Sequence, residues 1–404
     1  MGNLGGALSS QNQNEDIRSG MRLVGEIIIC DCTGREGEQA ASVDLGADIK
    51  VELIRLLDSI GIAQAQAGYP AKSRADSEAV TRLRRLGLRI KIEVIAQVFD
   101  PHWRDELDAA VACGPDIIDV QLPCSDDRLR LLHHMTRDEM LARSVEAIRY
   151  VRDRVPIIRF APTDTTRADL NYVRALYHAA LEAGADRLSL ADTSGSMFPP
   201  AMRWLVNEIT GEFDVPVQVH CHNDFGLALA NTLAAAEGGA TILDATVNGL
   251  GERSGNTCLD ELAVALETFY KVRTGVELKS LYRLAHQVSR WTGVPLPVHK
   301  PLVGDNAFAH KLEGHVRGVL ISPTLYEPLP PETIGNVRRV PIGRYSGAAA
   351  VRYRLQQLGV DVSGGQVQAV LNDLAKRWEG RTTSLSDDEF VAIAEATLRG
   401  GADE

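Results

Sequence analysis

Val215-Pro216-Val217-Gln218-Val219-His220-Cys221-His222-Asn223-Asp224 is an apolar, strand-like run that ends on two histidines one residue apart. Residues two apart on a strand share a face. His220 and His222 therefore present their imidazoles side by side, while Cys221 points to the other face. That geometry suits two ligands of one divalent metal, although an H-x-H by itself is as compatible with a structural pair. Outward along the chain, strand-like runs recur near residues 26–30, 62–67, 90–95, 117–122, 157–160, 187–190 and 241–247. Amphipathic stretches lie between them, among them 49–59, 76–86, 138–152, 169–183, 200–209 and 228–237. Eight strands alternating with helices over roughly 250 residues predict an α/β fold, the (β/α)8 TIM barrel. The polar motifs fall at the C-terminal ends of the strands, where such barrels carry their chemistry.

The alternation stops near Thr274. A helical stretch at 278–292, a Pro-rich linker at 293–301 and helical stretches at 347–358, 365–377 and 387–398 then predict a mainly helical C-terminal accessory region. The expected organisation is a flexible N-terminal arm over 1–22, a catalytic barrel over 23–275 and the accessory region over 276–404. A net charge of -11 and a pI near 5.5 argue against nucleic acid as a partner, because phosphate binders need a basic surface. No apolar run has the length of a membrane span, and the polar, Gly-rich N-terminus lacks a signal core. The six cysteines include no C-x-x-C pair and form no disulfide framework, so buried thiols in a reducing cytoplasm are expected.

Two further segments carry a resemblance. Asp31-Cys32-Thr33-Gly34-Arg35-Glu36-Gly37-Glu38-Gln39 follows the first strand, and Asn248-Gly249-Leu250-Gly251-Glu252-Arg253-Ser254-Gly255-Asn256 follows the last. With His220-Cys221-His222-Asn223-Asp224 they resemble the motifs D-T-T-L-R-D/E-G-E-Q, N-G-x-G-E-R-x-G-N and H-x-H-N-D. These belong to the metal-dependent Claisen-condensing enzymes that include isopropylmalate, homocitrate and citramalate synthases, with hydroxymethylglutaryl-CoA lyase as a relative. The similarity covers roughly residues 25 to 360.

The resemblance implies an acyltransferase that joins acetyl-CoA to a 2-oxo acid and releases CoA. It implies Glu36, His220, His222 and Asn256 as ligands of a divalent cation, a donor set that suits Mg²⁺, Mn²⁺ or Zn²⁺. Arg35 is the implied partner of the developing alkoxide. Gln39, Thr193 and Arg167 are implied substrate contacts. His315 and Tyr326, in the accessory region, are the implied groups for proton removal from the thioester methyl, acting in trans within a homodimer. The family's H-E-S-G-I-H reads His310-Lys311-Leu312-Glu313-Gly314-His315 here, which leaves open which histidine is presented. The chain stops without the regulatory domain of long isopropylmalate synthases, so feedback control through one is not expected.

Four positions depart from the pattern, all at the barrel mouth. Gly34 replaces a Leu, Gln66 a strand-two Glu, Gln97 a strand-three Arg, and Thr163 a Glu thought to assist proton transfer. Loss of the Glu and the Arg together removes an ion pair and leaves no unpaired buried charge. Thr163 removes a proton carrier, with water or Asp164 as the substitutes. Arg128 and Arg130, in the loop after the fourth strand, are candidates to hold a second acidic group, because guanidinium suits bidentate recognition of carboxylate or phosphonate. A dicarboxylic 2-oxo acid is therefore the expected substrate, with phosphonopyruvate as the alternative. An apolar keto acid, reversed lyase chemistry and a non-catalytic scaffold are the remaining readings.

Overall fold

The structure, a computed structural model, describes residues 8, 9, 12, 14–378 and 381–400. Ten residues of the arm expected over 1–22, all at or before Gln13, lie outside those residues; beyond them Glu15–Arg18 forms one helical turn, with Asn14 Oδ1 accepting the Asp16 N–H. Eight parallel strands close into a barrel in sequence order. They are β1 (Ile28–Asp31), β2 (Gln64–Gly68), β3 (Lys91–Gln97), β4 (Ile117–Pro123), β5 (Ile157–Thr163), β6 (Arg187–Asp192), β7 (Val217–Cys221) and β8 (Ile242–Ala245). The expected (β/α)8 fold is the observed one, with strand ends displaced by a few residues. The eighth strand stops at Ala245 because Val247–Gly249 forms a turn in which Asn248 takes φ 62°.

Each strand is followed by helix. Ala47–Ser59, Arg74–Arg84, Trp103–Ala112, Arg137–Val151, Leu170–Ala183, Pro199–Glu212 and Ala228–Glu237 form the outer layer with Leu259–Ala265. Local signals set their starts. Thr136 and Glu139 form a reciprocal capping box ahead of Arg137, and Asp169 caps the Tyr172 N–H. The apolar core lies between strands and helices: Val94, Val120, Phe160, Leu188, Val219 and Leu243 all face outward and are fully buried. Many inward positions are polar instead, with Ile95, Ala161 and Ala191 as apolar exceptions at the cavity.

Down the barrel axis run Gln64, Gln66, Glu93, Asp119, Arg159, Ser189, Gln218 and Asp244, all buried. Arg159 bonds Glu93 at 2.7 Å, Asp244 at 3.0 Å and Ser189 Oγ at 2.7 Å, with Asp119 at 3.6 Å. Buried charges persist only when paired, and this network sets its three carboxylates around one guanidinium, with Arg159 Nε and Asp119 Oδ1 left without a hydrogen-bond partner. Its position directly beneath the mouth fixes the floor of the site.

The chain separates into two compact units, Gln13–Leu296 and Pro297–Glu404 with Met1–Asn12. The helix Leu281–Thr292, placed by sequence in the accessory region, belongs to the barrel unit. Its Ala285 carbonyl accepts the Asn248 side-chain N–H at 2.9 Å. The second unit is helical as expected. Glu313–Ile321, Ala348–Gln357, Gly364–Lys376 and Asp387–Gly400 surround a core that includes Val316, Ile342, Val351, Leu355, Val370 and Phe390. Among the described residues no helix is long and apolar enough to cross a membrane.

Candidate active site

A cavity of about 370 Å³ opens at the C-terminal ends of the strands. Strand parity brings His220 and His222 to it, as the H-x-H spacing requires: their ring centroids lie 5.1 Å apart, and Cys221 is buried on the other face. Glu36 arrives from the turn after β1, where the Glu36 and Gly37 N–H groups both bond the Cys32 carbonyl. One donor atom each of Glu36, His220 and His222 lies within 4.8 Å of the others.

Asn256 joins them through backbone stitching. An isolated antiparallel bridge pairs it with His222, and the Asn223 N–H bonds the Gly255 carbonyl at 2.9 Å. Its Nδ2 lies 2.9 Å from His220 Nε2. Two glycines make the approach feasible. A Cβ at Gly251 would fall 1.9 Å from Asn256 Oδ1, and one at Gly255, which has φ +85°, would fall 2.0 Å from the Gly249 carbonyl oxygen. Arg253 of the same loop forks onto Asp224 at 2.7 and 2.8 Å and donates to the Thr193 carbonyl at 2.9 Å, tying three strand ends together.

These residues fit a divalent cation. His220 Nδ1 faces Asp244 Oδ2 at 3.0 Å, which leaves Nε2 as its ligating nitrogen. His222 Nδ1 and Asn256 Oδ1 are buried and have no hydrogen-bond partner, and a buried polar atom so left is costly unless something completes it. Two imidazoles, one carboxylate and one amide oxygen are such a set. Burial opposes charge on His220, but the Asp244 carboxylate and Cys32 together push it up to about 10. Burial and the neighbouring His220 bring His222 down to about 3. Burial raises the Glu36 carboxyl, and Arg35 with the two histidines more than offsets this, holding it below its ordinary value.

Arg35 lines the cavity next to Glu36, with which it is ion-paired. Its Nε donates to Gln66 Oε1 at 2.8 Å. Gln66 in turn donates to Glu93 at 2.7 Å and lies 3.4 Å from Asp119. A glutamate there would set a third carboxylate against those two, so the amide of this chain is the residue its neighbours demand.

Of the other residues expected at the site, Gln39, Arg128 and Thr193 line the cavity. Thr193 Oγ1 accepts the Asp164 N–H at 2.8 Å. Arg130 and Arg167 do not line it. Arg130 pairs with Asp127 at 3.0 Å on the surface, and Arg167 forks onto Asp164 at 2.9 and 2.6 Å. Thr163 is at the cavity wall, whereas Asp164 is fully buried and held by Arg167 and Ser125, so it is no substitute proton carrier. In the second unit, His310 Nε2 is tied to Glu327 at 3.1 Å, and Arg338 also holds that carboxylate. His315 is exposed and stacks on Tyr326 with centroids 4.3 Å apart. Gly318 permits the stack, because a Cβ there would fall 2.4 Å from the Tyr326 ring.

Sequence reasoning missed Asp244, Arg159, Gln121, Phe99 and His133, all at or just beneath the cavity. Asp244 had a signal, a lone acid in the apolar run Ile242-Leu243-Asp244-Ala245. His133 had none, because it depends on the π-helical turn Arg128–His133, which sequence did not foretell.

Comparison with known proteins gives the family. Residues 26–288 match the HMGL-like family, and residues 302–381 match the homocitrate synthase post-HMGL domain-like family. A probable 2-isopropylmalate synthase of Ignicoccus hospitalis is 40% identical, covering 92% of each chain. The homocitrate synthase AksA of Methanothermobacter thermautotrophicus is 36% identical over 95% of this chain and 96% of its own. The (R)-citramalate synthase CimA of Methanocaldococcus jannaschii is 35% identical over 90% of this chain and 73% of its own. In fold, the Bacillus subtilis HMG-CoA lyase superposes with a TM-score of 0.61 at 21% identity, covering 69% of this chain and 97% of its own.

Proposed function

This chain belongs to the HMGL-like family, and from that premise we propose that it condenses acetyl-CoA with a 2-oxo acid bearing a second acidic group. The carrying observation is the placement of Arg35 beside Glu36, His220 and His222 in one cavity. The synthase names of its relatives support the same reading. The homocitrate synthase-type segment beyond the barrel favours synthesis over the lyase reaction.

The reaction removes a proton from the thioester methyl, joins that carbon to the keto carbon, protonates the resulting alkoxide and hydrolyses the thioester to free CoA. A divalent cation held by Glu36, His220, His222 and Asn256 would polarise the keto group as a Lewis acid. Arg35, fixed by Gln66, holds its guanidinium where the keto oxygen gains charge as the carbon–carbon bond forms, an effect of about 3 kcal/mol. Thr193 is oriented by Asp164 to meet the substrate carboxylate, and Gln39 lies on the same wall. Arg128 is the group for the distal acid, since Arg130 is turned to solvent. We assign methyl-proton removal to His315 supported by Tyr326, supplied by the partner chain of a homodimer. His310, bonded to Glu327, is the alternative histidine for this step. Six buried cysteines outside any disulfide suit the reducing cytoplasm.

Thiol release from acetyl-CoA with a panel of 2-oxo acids, with and without added divalent metal, tests this reading. Metal-dependent release with a diacidic member is expected. Failure with every acid and metal would leave the chain a non-catalytic member of its family.

A further inference from the structure

Among the described residues that line the cavity, His133 is the histidine outside the cation site. It closes the π-helical turn Arg128–His133. A π turn bonds residues five apart, so its first and last members meet across one turn, and here both Arg128 and His133 line the cavity. The turn is anchored at Leu129, which is buried: its N–H bonds the Ser125 carbonyl at 3.0 Å, and its carbonyl takes the Met135 N–H at 3.0 Å. The His133 ring leans on Phe99 with centroids 4.3 Å apart, and among the described residues neither ring nitrogen has a hydrogen-bond partner. From its own turn Arg128 and His134 face it, while Phe99 from the loop after β3 is neutral. Arg128 Nε lies 3.5 Å from the buried Asp164 carboxylate, but Arg167 already forks onto that carboxylate at 2.9 and 2.6 Å. Two guanidiniums against one carboxylate leave this wall of the cavity with positive charge in excess. Burial, then Arg128 and His134, hold the His133 pKa below its ordinary value, so the free protein keeps the ring neutral near pH 7.

We propose that His133 is a specificity-determining residue, which takes a proton from solvent when a diacidic 2-oxo acid binds and so becomes, beside Arg128, a second cation on the distal acid. The inference rests on the condensation reading above and names a further residue for its second acidic group. An anion set before Arg128 gives His133 an attracting neighbour in place of a repelling one. An opposite charge within ~4–6 Å favours the charged form, so the imidazole's pKa is higher with the diacid bound than without it. Such a group strengthens binding as pH falls from its bound value toward its free value. Above the bound value the ring is neutral in both states, and that contribution is gone. A monoacid such as pyruvate brings no charge to this wall and gains nothing from His133.

Calorimetry of 2-oxoglutarate and of pyruvate on the full-length, metal-loaded protein, in buffers of unlike ionisation enthalpy, counts the protons taken up with each. Extra uptake, up to one proton, is expected with 2-oxoglutarate. Lowering the pH by one unit between the free and bound values should tighten 2-oxoglutarate relative to pyruvate by up to about tenfold. His133→Gln keeps a neutral side-chain N–H that cannot take the proton, and should abolish both the extra uptake and the pH dependence of the ratio. His133→Arg carries the charge at every pH, and should keep tight binding of 2-oxoglutarate without uptake. Metal content equal to the parent's shows that each variant is folded. Absent or pyruvate-like binding of 2-oxoglutarate overturns the inference, as does extra uptake that persists in His133→Gln. CoA release with 2-oxoglutarate but no extra uptake would keep the condensation and refute the role of His133. Proton-linked binding of 2-oxoglutarate without CoA release would do the reverse.

Discussion

Replacing Asp244 by Asn keeps the side chain's shape and removes its charge. The carboxylate accepts three donors: His220 Nδ1 at 3.0 Å, Arg159 Nη2 at 3.0 Å and Gln218 Nε2 at 2.5 Å. An asparagine has one oxygen for these three, and its N–H₂ must face at least one of them as donor against donor. Two costs follow. Breaking a buried ion pair costs about 3–5 kcal/mol. Arg159 keeps Glu93 at 2.7 Å and Asp119 at 3.6 Å, which argues for the lower end. A loss of ~3 kcal/mol lowers the melting temperature by on the order of 10 °C, so the barrel stays folded at room temperature. The second cost falls on the metal site. With Nδ1 of His220 no longer held, its ring orientation and tautomer are free, and losing such a partner weakens metal binding by roughly 10–100-fold. Titration of the metal-free variant with Mn²⁺ or Zn²⁺ against a competing chelator reads this without turnover. A folded Asp244→Asn chain with unchanged metal affinity would show that His220 is not positioned through Asp244.

His220→Ala and His222→Ala should each abolish bound metal and CoA release, measured by metal analysis of the purified variants; full occupancy with normal turnover would remove the site. Mixing an Arg35→Ala chain with a His315→Ala chain should restore part of the activity if the second unit acts in trans, and no recovery after proven subunit exchange would refute that. Arg128→Leu should raise KM by thirtyfold or more for diacidic keto acids, about 2 kcal/mol or above. Arg130→Leu, at a surface pair, should leave KM nearly unchanged. Asp31 supplies a pH test. Burial raises its carboxyl to about 7, with the Thr33 hydrogen bonds acting the other way. Its folded value exceeds the unfolded one, so its stabilising contribution is complete below about pH 4 and lost as pH rises through about 7. Denaturation midpoints should fall across that window, and Asp31→Asn should flatten the fall.

Sequence by itself determined the barrel and the shared face of the two imidazoles, which are periodic or local properties, while Glu36 and Asn256 came in through the family motifs they resemble. Alternation places His220 and His222 on one face whatever surrounds them, and Gly251 and Gly255 allow only a narrow path for the chain bearing Asn256. Tertiary structure alone decided which charges reach the cavity. Arg128 and Arg130 stand two apart in sequence, yet a π-helical turn sends one to the cavity and the other to Asp127. Arg167 and Asp164 satisfy each other, and His310 is bound to Glu327 seventeen residues away. The Arg159–Asp244 link joins residues 85 apart. Such pairings depend on which unsatisfied partner the fold brings within hydrogen-bond distance, and a buried charge takes the nearest one. No periodicity along the chain encodes that distance.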